Sequence, residues 1–161
     1  MKKYFFLLQI LFAVHMSYGQ YDLSYKLPDN VSEKELIASI IGAGDTIAYH
    51  HLYNYYMNHR EVGNILSYSL IMANKWNYSI AMYDVYIELL SLYNCLFSGN
   101  LEIMDLKTRR FALEYLMLYY ENAPECKERA SAYRNEIIKY VEKGYLIILN
   151  DKIVINEDLF D

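Results

Sequence analysis

The chain has 161 residues, 15 basic and 20 acidic, for a formal charge of −5, and 55% of its residues are apolar. An acidic chain without a basic block is poorly suited to nucleic acid or anionic membranes, since both affinities rest on neutralising negative charge. So apolar a composition also excludes a disordered polymer.

Residues 1–19 read as an export signal. Lys2 and Lys3 precede "YFFLLQILFAV", a largely apolar run of eleven that is too short to span a bilayer as a helix. Ser17 and Gly19 then occupy the small-residue positions expected before a cleavage site. The expected mature chain begins at Gln20 and has 142 residues, the size of one domain. Without Lys2 and Lys3 its basic count falls to 13 against 20 acidic residues, a charge of −7. No cysteine follows the apolar run, so no lipid anchor is expected. The expected location is the periplasm of a Gram-negative bacterium or the exterior of the cell, without stable membrane insertion.

Residues 20–31 show no period and read as an irregular arm. A helical domain is expected over 32–143. Ser32 and Glu35 have capping-box spacing, which satisfies exposed amides at a helix start. Gly42 is expected to close that helix and Asp45 to cap the next. "GAGD" at 42–45 lacks the preceding strand and the lysine of a phosphate loop.

From Asp45 onward helical periodicity dominates. Ala48, Leu52, Tyr55, Tyr56 and His59 share one helical face. Residues 61–75 form a second such helix, with Leu66, Ser69, Leu70 and Ala73 inward. Residues 78–94 form a third, apolar except for the stripe Asp84, Glu88 and Ser91, and a helix of that kind is buried on most sides. "SGN" at 98–100 breaks the pattern. A helix over 105–121 follows, with Lys107, Arg110, Glu114 and Glu121 outward. A last helix over 125–143 turns Ala130, Tyr133, Ile137 and Val141 inward. In the tail, 144–161, the period changes: two aliphatic runs flank Asn150-Asp151, which predicts a β-hairpin with a two-residue turn. A lone hairpin is marginal in water, so it is expected to dock on the helices or on another chain.

Two segments echo each other. "IAYHHLYNYY" at 47–56 aligns with "IAMYDVYIEL" at 80–89, and "ILSYSLIMANKWN" at 65–77 with "ALEYLMLYYENAP" at 112–124. Ala48, Leu52 and Tyr56 thus match Ala81, Val85 and Leu89, and Tyr68 matches Tyr115. Over residues 44–130 this pattern resembles Sel1-like repeats, a branch of the tetratricopeptide superfamily. It departs from them where Tyr53 and Tyr86 replace the small residue after the aliphatic position, and where Trp76 and Ala123 replace a closing glycine. The resemblance implies an all-α fold of antiparallel helix pairs, about six helices in all, that binds protein or peptide and performs no catalysis.

The same residues carry the candidate sites. His50, His51 and His59 do not share a face at metal-ligand distance: adjacent residues diverge by about 100°, and His59 lies about 12 Å beyond His51 along the axis. No metal or cofactor is expected. Tyr49, Tyr55, Tyr83 and Tyr93 are the candidates for an aromatic recognition surface, because tyrosine offers rigid contact area at low entropic cost. Asp84 and Glu88 read as the solvated edge of a packed helix and as weak attractors of a basic partner. With Glu114 they form the alternative, the paired carboxylates of a periplasmic hydrolase. Cys95 and Cys126 fall at opposite ends of alternating helices, about 20 Å apart, whereas a disulfide needs Cα atoms within about 7 Å. Both thiols are expected to stay free and buried. The functional expectation is an exported protein-binding scaffold, in its most specific form an immunity or antagonist protein against a secreted toxin.

Overall fold

The computed structural model describes residues 25–96, 98, 100–123, 130–150 and 152–160, with the side chains of 130–134 outside the description. The expected export signal, Cys126 and Asp151 lie outside it. Among the described residues six α-helices follow one another: α1 (Glu33–Ala43), α2 (Thr46–Asn58), α3 (Val62–Trp76), α4 (Ser79–Leu92), α5 (Leu106–Asn122) and α6 (Ala130–Glu142). A hairpin of β1 (Leu146–Leu149) and β2 (Lys152–Ile155) comes after them. The fold class expected from the sequence is the one observed.

Local chemistry sets the helix ends. Ser32 and Glu35 form the capping box, with the Ser32 side chain and the Glu35 carboxylate satisfying each other's amides. Asp45 accepts from the amides of Ile47 and Ala48 at 2.9 and 3.0 Å. The closing glycine of α1 is Gly44, not Gly42: α1 continues through Gly42, and Gly44 takes the left-handed conformation with φ 65°. Trp76, at the end of α3, packs its ring against this glycine, so a Cβ added to Gly44 would sit 2.5 Å from Trp76 Cδ2. The tryptophan that interrupts the repeat pattern is therefore a wedge between the ends of α1 and α3. Gly44→Ala is expected to cost about 2 kcal/mol, from the left-handed backbone plus the displaced ring. Urea unfolding followed by Trp76 fluorescence checks this, and an unchanged midpoint and emission would refute the wedge.

Neighbouring helices pack in succession, α1 on α2 and α3, α2 on α3, α3 on α4 and α4 on α5. The core runs along this stack. Leu52, Ile65, Met72, Val85, Leu113 and Leu116 are buried in it, each stabilising the fold by roughly 1.5–3 kcal/mol. Ala48 and Ala81, the anchor positions of the echo, are both buried in the first turn of their helices. On α3 the buried face is Ile65, Ser69, Met72 and Ala73, whereas Leu66 and Leu70 are half-buried. The face is thus rotated slightly from the expected one.

Tyrosine takes an unusual share of the interior. Tyr49, Tyr86 and Tyr140 are among the largest side chains with essentially no exposure. The closest packing partner of α6 is β1. Its link to α4 runs through side chains: Tyr86 donates to Glu136 Oε1 at 2.6 Å and meets the Tyr140 hydroxyl at 2.7 Å. The expected inward set on α6 missed Tyr140. Among the described residues no helix is long and apolar enough to cross a membrane.

Candidate functional site

The residues singled out on sequence grounds divide into a buried cluster and scattered surface positions. The cluster is made by α2, α3 and α4. Tyr49 donates to Asp84 Oδ2 at 2.8 Å and meets Ser69 Oγ at 2.9 Å, and Ser69 Oγ meets Glu88 Oε1 at 2.6 Å. Asp84 is 8% exposed and Glu88 not at all. The expectation of a solvated stripe is thus corrected: α4 turns these carboxyls toward α2 and α3, because Tyr49 and Ser69 offer hydroxyls there. Tyr49 is corrected too, from surface candidate to core residue.

Proton counting constrains this cluster. Tyr49 and Ser69 have one hydroxyl proton each, which Tyr49 donates to Asp84 and Ser69 to Glu88. Burial pushes Glu88 up to about 9, opposed by its bond to Ser69 and reinforced by the Asp84 charge. Burial also pushes Asp84 up to about 7, with the Tyr49 and Tyr53 hydroxyls opposing it. Glu88 is therefore the protonated member at neutral pH. Its Oε2 is enclosed and has no hydrogen-bond partner among the described residues. The cluster is a closed internal network, out of a substrate's reach.

Glu114 does not join it. Its carboxylate pairs with Arg110 at 3.3 Å on the outer side of α5, and Arg110 also grips Glu157 with two bonds of 3.0 and 3.1 Å. The three carboxylates of the hydrolase alternative are not brought together.

The remaining tyrosines are half-buried. Tyr55 stacks on His59 with ring centres 4.4 Å apart, Tyr83 lies 5.0 Å from Tyr119, and Tyr93 bonds Asp105 at 3.0 Å. They belong to separate neighbourhoods and form no common surface. The histidines have local partners: His50 meets Tyr78 at 2.8 Å, His51 meets Tyr25 at 3.1 Å and His59 meets the Tyr55 carbonyl at 2.7 Å. Cys95 is buried and free. Cys126, the other thiol expected to stay free, lies outside the described residues.

An open feature lies elsewhere. A groove of about 490 Å³ runs along β2 and against the C-terminal half of α5. Met117, Ile147, Leu149 and Ile153 contribute apolar lining, and Glu121 and Asp158 bring acid to it. Pairing is antiparallel, with Leu146 opposite Ile155 and Leu149 opposite Lys152. Side chains alternate along a strand, so Leu146, Ile148, Ile153 and Ile155 share one face and Ile147, Leu149, Lys152 and Val154 the other. The first face carries buried Leu146 and the partly buried Ile153 and Ile155. The second holds Ile147 at 37% and Leu149 at 56% exposure. Both faces of this hairpin are thus apolar, and the first is covered at Leu146 but open at Ile148, which is 65% exposed.

No known protein family, curated protein or solved structure matches the chain.

Sequence reasoning did not find this groove, because it arises where the tail meets α5. One signal was present. Aliphatic residues at consecutive positions in "LIIL" and "KIVI" place apolar side chains on both faces of any hairpin they form.

Proposed function

We propose that the protein is a non-catalytic binding scaffold whose α5–hairpin groove takes an apolar and basic segment of another protein. The observation that carries this is the groove itself, with exposed aliphatic side chains beside Glu121 and Asp158. Exposed apolar patches bordered by polar residues are the usual mark of a protein contact, and acidic borders favour a basic partner. The helix pairs and the Sel1-like echo support a scaffold role. Burial of Asp84 and Glu88, with Glu114 engaged elsewhere, removes support from the hydrolase alternative. Export from Gln20 onward and antagonism of a secreted toxin are part of the proposal, supported by the leader-like first nineteen residues and the acidic charge.

A fluorescent peptide alternating lysine with valine tests the groove by anisotropy titration. Leu149→Lys, at an exposed position, sets a like charge against the basic partner and is expected to weaken binding at least tenfold. Glu121→Lys is expected to weaken it and to flatten its salt dependence. An acidic–apolar peptide binding as tightly as the basic one would overturn the reading.

A further inference from the structure

We infer that the groove receives its partner as an added β-strand, paired antiparallel along the open edge of β2. The inference rests on the groove reading above and specifies the shape and backbone chemistry of what the groove takes. Its basis is the hydrogen-bond parity of the hairpin. With a two-residue turn, the flanking residues Leu149 and Lys152 exchange both backbone bonds, and hydrogen-bonded pairs recur at every second step. Ile147 and Val154 form the next such pair. The amide of Asn156 bonding the Tyr145 carbonyl at 3.0 Å continues the same parity beyond the strands.

Ile153 and Ile155 fall at the intervening positions. Their amides and carbonyls therefore point away from β1, and no backbone or side-chain group among the described residues bonds them. The groove follows this edge, since its lining includes every residue from Ile153 to Asp158. Two donors and two acceptors at alternate residues, beside an apolar trough, are what an incoming strand needs. An open edge of aliphatic residues is otherwise a liability that proteins cover or charge.

Parity also assigns the partner's side chains. Partner residues directly opposite Ile153 and Ile155 exchange both backbone bonds with them and share their face. Those residues are apolar. The alternate residues lie on the face of Leu149 and Val154, and the acids of the lining, Glu121 and Asp158, favour lysine or arginine among them. A second copy of this chain fits less well, because it would bring Glu121, Glu157 and Asp158 close to the same acids of its twin.

The test uses the lysine–valine peptide in three forms: unmodified, N-methylated on every valine, and N-methylated on every lysine. N-methylation removes a backbone donor and crowds that edge. The valine-methylated peptide is expected to lose at least thirtyfold in affinity, while the lysine-methylated one stays within about threefold of the parent. On the protein side, Ile153→Pro deletes one outward amide without touching the β1–β2 ladder and is expected to weaken the parent peptide comparably. Equal binding of both methylated forms, with sensitivity to Leu149→Lys kept, overturns strand addition and leaves the groove reading standing. Binding of no peptide, or binding indifferent to Leu149→Lys, overturns both. A concentration-dependent dimer abolished by Ile153→Pro assigns the edge to a second copy and also overturns the inference.

Discussion

Raising the pH from 5 to 8 is expected to cost the folded protein on the order of 3 kcal/mol or more. In the unfolded chain Asp84 and Glu88 titrate in the ordinary carboxyl range near pH 4. In the fold, burial holds them up to about 7 and about 9. The folded chain therefore binds more protons than the unfolded one between these limits, and stability falls with pH wherever that is so. The contribution is complete below about pH 4, falls above it, falls half as steeply once Asp84 has ionised near 7, and is exhausted above about pH 9. Chemical denaturation at several pH values reads this slope directly. Glu88→Gln preserves an oxygen for Ser69 and cannot ionise, so it should remove more than half of the slope and stabilise the protein at pH 8. A Glu88→Gln variant with the parent's slope would show that the pair is solvated after all.

Tyr86→Ala is expected to destabilise by about 4 kcal/mol, in the range of large aromatic truncations in cores. The loss should not be spread evenly. Tyr86 has no exposure and holds both Glu136 and Tyr140 on α6. Tyr83 adds a longer contact to Glu136 at 3.4 Å. Truncation at Tyr86 removes the ring that fills the space between α4 and α6 and both of its hydrogen bonds. Hydrogen exchange should then show α6 and the hairpin opening well before α1 to α3. Tyr86→Phe keeps the ring and loses only the bonds, so its expected cost is smaller, about 1–2 kcal/mol. Uniform loss of protection across all six helices would contradict the picture of a C-terminal layer fastened by one tyrosine.

What could be read from the sequence was local. The Ser32–Glu35 box, the Asp45 cap and the Asn150 turn each depend on residues within three positions, and each occurs as expected. The order of helices followed from periodicity alone. The fate of Asp84 and Glu88 did not, because i, i+4 spacing on an apolar helix fits a wet edge and a buried pair equally well. Their partners, Tyr49 and Ser69, come from two other helices. Tyr49 was misplaced for the same reason: an amphipathic ring suits surface and core alike until a buried acceptor is known. Gly42 and Gly44 are near-equivalent by sequence, and the choice between them is made by Trp76, far along the chain.

The uncovered hairpin also bears on how the protein behaves when it is alone. Strand edges with aliphatic flanks template the stacking of identical segments into fibres. Lys152 at the tip and the neighbouring acids are then the residues that keep concentrated solutions clear, through like-charge repulsion between molecules. Solutions near the isoelectric point or at high ionic strength should cloud first, and an occupant in the trough should delay it.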